Sequence, residues 1–305
     1  MSDPLQQKSV PLITWANIAP PFQDHHYFEQ ADRFPFPWAT PDFSLLHGWW
    51  LSEAALLAYA EESFATPRFD RAGFTRVRFF DAGSTQCYVA SNAAYAIVAF
   101  RGTESRPRAG ENPYGQFMSD WVTDFDIRMI PTPHGGRIHQ GFDRALNEIW
   151  DELEEYLSQL TSAGCALWIT GHSLGGALAT LAAARIPRLI GVHTFGAPRV
   201  GDKTFAERFD KPLYRWVNNN DVVPHLPPFP YVDLGGPIYI DHHGAVDWEI
   251  GGWERIWDGI QGHLGAVGES ISGGLPAWVP EGLKDHTPLL YTLRIWNNFI
   301  ADRST

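Results

Sequence analysis

The stretch Cys165–Ala184, CALWITGHSLGGALATLAAA, opens as a short apolar run and closes as an Ala/Leu-rich run. Three glycines, a histidine and one serine occupy the seam between them. The first run reads as a buried strand and the second as a helix. The seam itself, GHSLG at 171–175, fits G-x-S-x-G, in which a serine sits on a tight strand-to-helix turn with its hydroxyl raised above the sheet. The small glycines let the two elements cross without a clash. The helix N-terminus then aims backbone N–H groups at the place where negative charge develops on an attacked carbonyl. A plainer reading makes Ser173 only a helix cap in a glycine-rich joint.

Working outward from the seam, strand and helix patterns alternate. Helix 173–186 is followed by strand 189–196, helix 201–209 and strand 212–218. Upstream, FTRVRFF (74–80) alternates, and TQCYVASNAAYAIVAFRG reads as two strands joined at Ser91-Asn92. The second, 94–101, is nearly all apolar, as a central strand is. From Gln140 to Leu160, Phe142, Leu146, Ile149, Leu153, Tyr156 and Leu160 fall on one face and predict a single amphipathic helix. Further helices are predicted over 48–63 and 287–299, and weaker helical spacing runs through 253–271. This alternation predicts a mostly parallel central sheet with helices on both faces, in one domain spanning 1–305, and with the G-x-S-x-G seam the fold expected is the α/β-hydrolase fold. Residues 1–45, rich in Pro and aromatics, read as an extended arm strapped over the body. Residues 104–119 are a breaker-rich loop, and 244–283 a helical insertion.

A formal charge of −12 opposes binding to nucleic acid and adsorption to anionic membranes, and leaves neutral esters open. Cys87 and Cys165 lie in strand-like runs and read as buried free thiols. No run of about 18 apolar residues predicts a spanning helix. The first residues carry no charged segment followed by an apolar one, so no signal peptide is evident, which favours the cytoplasm over export by another route. Oligomeric state is not legible.

A serine hydroxyl needs a base, and the base an orienting carboxylate. On this fold the order along the chain is Ser, then Asp, then His. Asp221, in RWVNNNDVVPHLP, follows the end of a strand, where such sheets gather functional groups. Asp202, Asp210 and Asp233 are weaker choices, and Asp202 in PRVGD reads as a helix cap. For the base, His286 in GLKDHTPLLY precedes a helix, with His242, His243 and His263 as rivals. Oxyanion donors fall to the N–H of Leu174 and to Thr103, where the strand AIVAFRGT ends beside Gly102.

Seven motifs in order, FRGT (100–103), DWVTDFD (120–126), IHQGF (138–142), ITGHSLGGALA (169–179), TFGAPRVGD (194–202), VNNNDVVPHLP (217–227) and DHTPLLY (285–291), make the chain resemble the class 3 lipase family, which includes filamentous-fungal triacylglycerol lipases. The resemblance implies a nucleophile at Ser173, an acid at Asp221, a base at His286 and oxyanion donors at Thr103 and Leu174. His139 reads as a buried hydrogen-bonding residue, and Arg101 as the partner of an internal carboxylate such as Asp124. The family's short helical lid would fall at 104–119, where Pro107, Gly110, Pro113 and Gly115 replace helical sequence. There Tyr114, Phe117 and Met118 would cover an acyl cleft if the loop gates it. The expected activity is hydrolysis of lipid esters, most naturally triacylglycerols, at a lipid–water interface and with no metal or organic cofactor. Phospholipase A1 and feruloyl esterase are alternatives on the same scaffold, and a catalytically silent binding module is the alternative from another class.

Overall fold

The computed structural model describes residues 6–13, 20–102, 127–247 and 278–303. In chain order these form α1 (Leu45–Leu57), α2 (Glu62–Arg71), β1 (Arg76–Ala82), β2 (Thr85–Ser91), β3 (Tyr95–Phe100), β4 (Met129–Pro131), β5 (Arg137–His139), α3 (Gln140–Asn147) and α4 (Trp150–Ser162). They continue with β6 (Ala166–His172), α5 (Leu174–Arg185), β7 (Gly191–Phe195), α6 (Lys203–Arg208), β8 (Leu213–Asn218), β9 (Pro237–Ile240), β10 (Val246–Asp247), α7 (Trp278–Asp285) and α8 (Pro288–Asp302). The loop 104–119, Asp124, His263 and the helical spacing at 253–271 lie outside the described residues, as does most of the 244–283 insertion.

Eight strands form one sheet in the order β1-β2-β3-β6-β7-β8-β9-β10. Pairing is parallel from β3 through β9 and antiparallel at both ends. The mostly parallel sheet expected from the alternation is therefore present, flanked by antiparallel edges. Side chains alternate between two buried layers. On one face Val89, Ala96, Val98, Leu167 and Ile169 meet α3, α4 and α5 in an aliphatic layer. On the other, Tyr88, Ile97, Trp168 and Trp216 meet α1, α8 and the arm in an aromatic one.

The arm is tied down by both kinds of force. Phe34 packs edge-on against Phe299, and Phe36 against Trp168. The Trp50 and Trp168 indoles donate to the carbonyls of Phe34 and Trp38, at 2.8 and 3.0 Å. His25 meets the fully buried Glu53 at 3.0 Å, and Lys8 exchanges two hydrogen bonds with Asn297. Burying these groups while pairing their polar atoms avoids the cost of lone buried donors.

Two expectations need correction. The helix expected over 48–63 is α1, which starts at Leu45, ends at Leu57 and is buried on nearly every side rather than along one face. The arm covers the side that would otherwise face water, so amphipathic spacing is not required of it. The helix expected from 140 to 160 is two, α3 and α4, interrupted at Glu148-Ile149. Glu148 turns there to accept from the Ser84 N–H at 2.7 Å, a tertiary contact that periodicity cannot reveal. Cys87 and Cys165 are buried and free. Among the described residues, no helix is long and apolar enough to cross a membrane.

Candidate active site

Strand β6 ends at His172 and α5 begins at Leu174, so Ser173 takes the whole reversal of direction. Its backbone sits at φ 57°, ψ −130°, which a non-glycine residue adopts only under strain from its surroundings. Those surroundings are backbone. A Cβ on Gly171 would strike the Gly175 carbonyl and stand 2.7 Å from the Gly176 nitrogen, and one on Gly175 would meet Phe100 and Arg101 main chain. The Ser173 N–H donates to the Phe195 carbonyl at 2.9 Å. Its side chain makes no capping bond, which removes the plain helix-cap reading. The Leu174 N–H belongs to the first turn of α5, where no carbonyl of the helix can satisfy it.

Asp221 follows β8 and is fully buried. One carboxylate oxygen, Oδ1, accepts from the Val223 N–H at 3.0 Å. The other, Oδ2, accepts from His286 Nδ1 at 2.8 Å and from the Tyr291 hydroxyl at 2.6 Å. A carboxylate facing Nδ1 fixes that nitrogen as the protonated one and leaves Nε2 as the acceptor. His286 Nε2 has no hydrogen-bond partner among the described residues. His286 is itself fully buried, at the junction of α7 and α8. Burial and the adjacent Asp221 push the Tyr291 phenol far up, so it stays a donor.

The loop bearing His286 is laced to the loop bearing Asp221. Asn218 donates to the Asp285 carbonyl at 2.7 Å, and Asn219 and the Asn220 N–H donate to the Asp285 carboxylate. This gives the run of three asparagines before Asp221 a physical purpose. Burial raises the Asp285 carboxyl against those donors. Gly196, at φ +58°, lies where a Cβ would come within 2.7 Å of Asp221 Oδ2 and 2.9 Å of His286 Nδ1.

The structure thus brings Asp221 and His286 into direct contact and sets the ring of His172, the residue before Ser173, 4.5 Å from that of His286. Thr103 lies outside the described residues. The rivals fall elsewhere. His242 and His243 are exposed on the turn between β9 and β10. Asp202 caps α6 through the Phe205 N–H at 2.9 Å. Burial raises the Asp233 carboxyl, but Arg215 and Arg199 outweigh it and hold that group low. His139 is buried and caps α3 through Phe142 N–H, a hydrogen-bonding role as expected. Arg101 donates to Gln86 at 2.8 Å. Sequence reasoning missed Tyr59, His172, Gly196 and Tyr291. Of these His172 carried a signal in its place inside the GHSLG seam, and Gly196 and Tyr291 in lying within TFGAPRVGD and DHTPLLY; Tyr59 carried none.

Residues 97–231 match the family model for lipase (class 3). Phospholipase A1-II 4 of Oryza sativa subsp. japonica is 27% identical over 208 residues, 56% of this chain and 50% of that protein. A lipase of Rhizopus oryzae is 32% identical over 163 residues, 48% of this chain and 38% of that protein. The chain spans half or less of the length of these curated relatives. Among solved structures, Rhizomucor miehei triacylglyceride lipase aligns with a TM-score of 0.52 at 26% identity, covering 65% of this chain and 80% of that one. Lipase II from Rhizopus niveus aligns with a TM-score of 0.51 at 26% identity, covering 69% and 80%.

Proposed function

We propose that the chain, whose residues 97–231 match the class 3 lipase family model, hydrolyses carboxylic esters of lipids through an acyl-serine intermediate on Ser173. The observation that carries this is one oxygen of a buried carboxylate, Asp221, bound to His286 Nδ1 at 2.8 Å, with the His286 ring 4.5 Å from that of His172, the residue before a serine on a strained strand-to-helix turn. In the proposed reaction Ser173 Oγ attacks the ester carbonyl as His286 Nε2 takes its proton. The tetrahedral oxyanion rests on the Leu174 N–H, with Thr103 as the second donor. His286 hands the proton to the leaving alkoxide, and the acyl group stays on Ser173. Water then repeats the attack with the same base and frees the acid. Asp221 orients the imidazole and stabilises its charged form throughout.

Triacylglycerol is the substrate class favoured here, supported by the similarity to fungal lipases. A second reading, phospholipase A1, is supported by the similarity to the rice phospholipases, which reaches over more of this chain. The test has two arms. A phosphonate ester should label the wild-type protein and leave Ser173→Ala unlabelled; a wild-type protein that takes no label is a binding module instead. Turnover of triacylglycerols, a phosphatidylcholine and a feruloyl ester then separates the substrates. Asp221→Ala and His286→Ala should each lower turnover by about 10³-fold or more, because the three groups act as one unit.

A further inference from the structure

His172 immediately precedes Ser173 and is buried with no exposed surface. Its Nε2 lies 2.6 Å from the carbonyl oxygen of His286. Its Nδ1 lies 2.8 Å from the Tyr59 hydroxyl. A carbonyl oxygen only accepts, so Nε2 carries the proton, Nδ1 is the acceptor and Tyr59 is the donor. Burial, reinforced by the neighbouring His286, keeps His172 far below the usual imidazole range and therefore neutral. Tyr59 is as deeply placed, and burial pushes its phenol up, so it remains a donor. The two imidazole rings are inclined at 38°. Tyr59 also touches the end of β3, where a Cβ on Gly102 would collide with its hydroxyl.

From this chain of contacts we propose that His172 is a positioning residue for the base: its Nε2–H holds the His286 main chain, and Tyr59 selects the tautomer that makes this bond. The proposal rests on the hydrolase reading above. Asp221 fixes the His286 ring from one side through Nδ1. That contact fixes one ring atom and leaves the main chain of His286, at the junction of α7 and α8, to be held by other bonds. The bond from His172 pins the other end of the residue, its carbonyl. It also ties the base loop to the strand that carries the nucleophile, a link that the bonds from Asn218, Asn219 and Asn220 to Asp285 do not make. A neutral ring is required in this place. A charged one beside His286 would oppose the imidazolium that forms during each turnover.

The test uses the full chain and a soluble short-chain p-nitrophenyl ester. His172→Phe keeps a ring of similar size and loses both hydrogen bonds. His172→Gln keeps an amide N–H donor near the position of Nε2. His172→Phe should lower kcat by about 10–100-fold with KM within about twofold, since a misplacement of about 1 Å between reacting groups has this effect. Its rate of phosphonate labelling at Ser173 should fall by the same factor, while its circular dichroism stays that of the wild type. His172→Gln should recover to within about fivefold of wild type. An unchanged kcat in His172→Phe overturns the proposal, and so does His172→Gln as slow as His172→Phe, which would mean that packing alone matters. If His172→Phe does not fold, Tyr59→Phe decides. A fall in kcat of about threefold or more at unchanged KM supports the assignment, and an unchanged kcat overturns it. A wild-type protein that takes no phosphonate at all defeats the hydrolase reading instead, which keeps the two failures distinct.

Discussion

Ser173 is positioned by main chain, that of the turn Gly171 to Gly176 and of the strands beside it, whereas Asp221 and His286 are positioned by side chains drawn from far apart in the chain. Around the serine, the neighbours that matter are main-chain atoms of β3, β6 and α5, and the side chains needed are absent ones, the missing Cβ atoms of Gly171 and Gly175. Around the acid and base, the neighbours are Tyr291, Asn218, Asn219, Tyr59 and His172, each giving a directed hydrogen bond. The proposed nucleophile is held by sterics and the proposed base by a polar network. Sterics fail by clash, which the whole fold feels. A polar network fails one bond at a time, and its titratable members make it sensitive to acid.

Acid gives the largest expected difference between the two halves. His172 and His225 are both held below the usual imidazole range, mainly by burial, and His225 is brought to about 4. Unfolded, each titrates near 6.5. A group whose folded pKa is depressed contributes stability that is complete above its unfolded pKa and is lost as pH falls towards its folded pKa. As pH falls below about 6.5 each histidine therefore removes stability, and for His225 the loss runs down to about 4. Asp285 works the other way, because its raised carboxyl takes up a proton more readily when folded. One such group cannot offset two imidazoles. Hydrogen exchange between pH 7 and 4.5 should show 218–226, 282–292 and the end of β6 at 170–172 opening before 174–185. Urea midpoints that stay flat across this window would sink the account.

Glycine substitutions separate the halves more sharply. Gly171→Ala places a methyl against the main chain of Gly175 and Gly176, and backbone at the start of a packed helix cannot step aside. Overpacking of this kind costs about 1–3 kcal/mol and should show first as a lower urea midpoint. Gly196→Ala meets Asp221 Oδ2 and His286 Nδ1 instead, which are ends of side chains. The left-handed backbone there adds about 1–2 kcal/mol. The larger effect should be on rate, about 100-fold in kcat from a displaced Asp–His pair. If Gly196→Ala loses stability but keeps its rate, the pair is not as tightly fitted as the contacts imply.

The same contrast explains what could be read in advance. GHSLG announces the elbow because strand, glycines and helix are contiguous, and the alternation around it gave the parallel sheet. Asp221 could be placed from the end of β8. His286 could not be separated from His242, His243 and His263 by residue pattern alone, because its approach depends on the path of α7 and α8. It took the resemblance to single it out. The roles of Tyr59 and Tyr291 were hidden for the same reason: one follows α1 and the other, although it ends the DHTPLLY motif, lies within α8, each reading as core. The break between α3 and α4 and the full burial of α1 were likewise hidden, being set by Glu148 reaching Ser84 and by the arm lying over α1.

The smallest effect tests the polar network at a single bond. The Tyr291 hydroxyl donates to Asp221 Oδ2 at 2.6 Å and accepts from the Asn218 N–H at 3.1 Å. Tyr291→Phe removes both contacts and leaves the ring, which packs against His172 and Phe195, in place. Asn218 N–H then lacks an acceptor, at a cost of about 1–3 kcal/mol in stability. Asp221 loses one of the two donors on the oxygen that faces His286, so it holds His286 less firmly but presents it with a less neutralised charge. The first change should lower kcat by about tenfold, the effect of about 1.4 kcal/mol on the barrier. The second strengthens attraction for the imidazolium, so the acidic limb of the kcat/KM profile should move to higher pH. Together these outcomes mark Tyr291 as part of the acid–base half. A variant that loses stability but shows neither a slower kcat nor a shifted limb would make Tyr291 a core residue that merely touches the site, and the acid–base half would then rest on Asp221, His286 and their main-chain contacts.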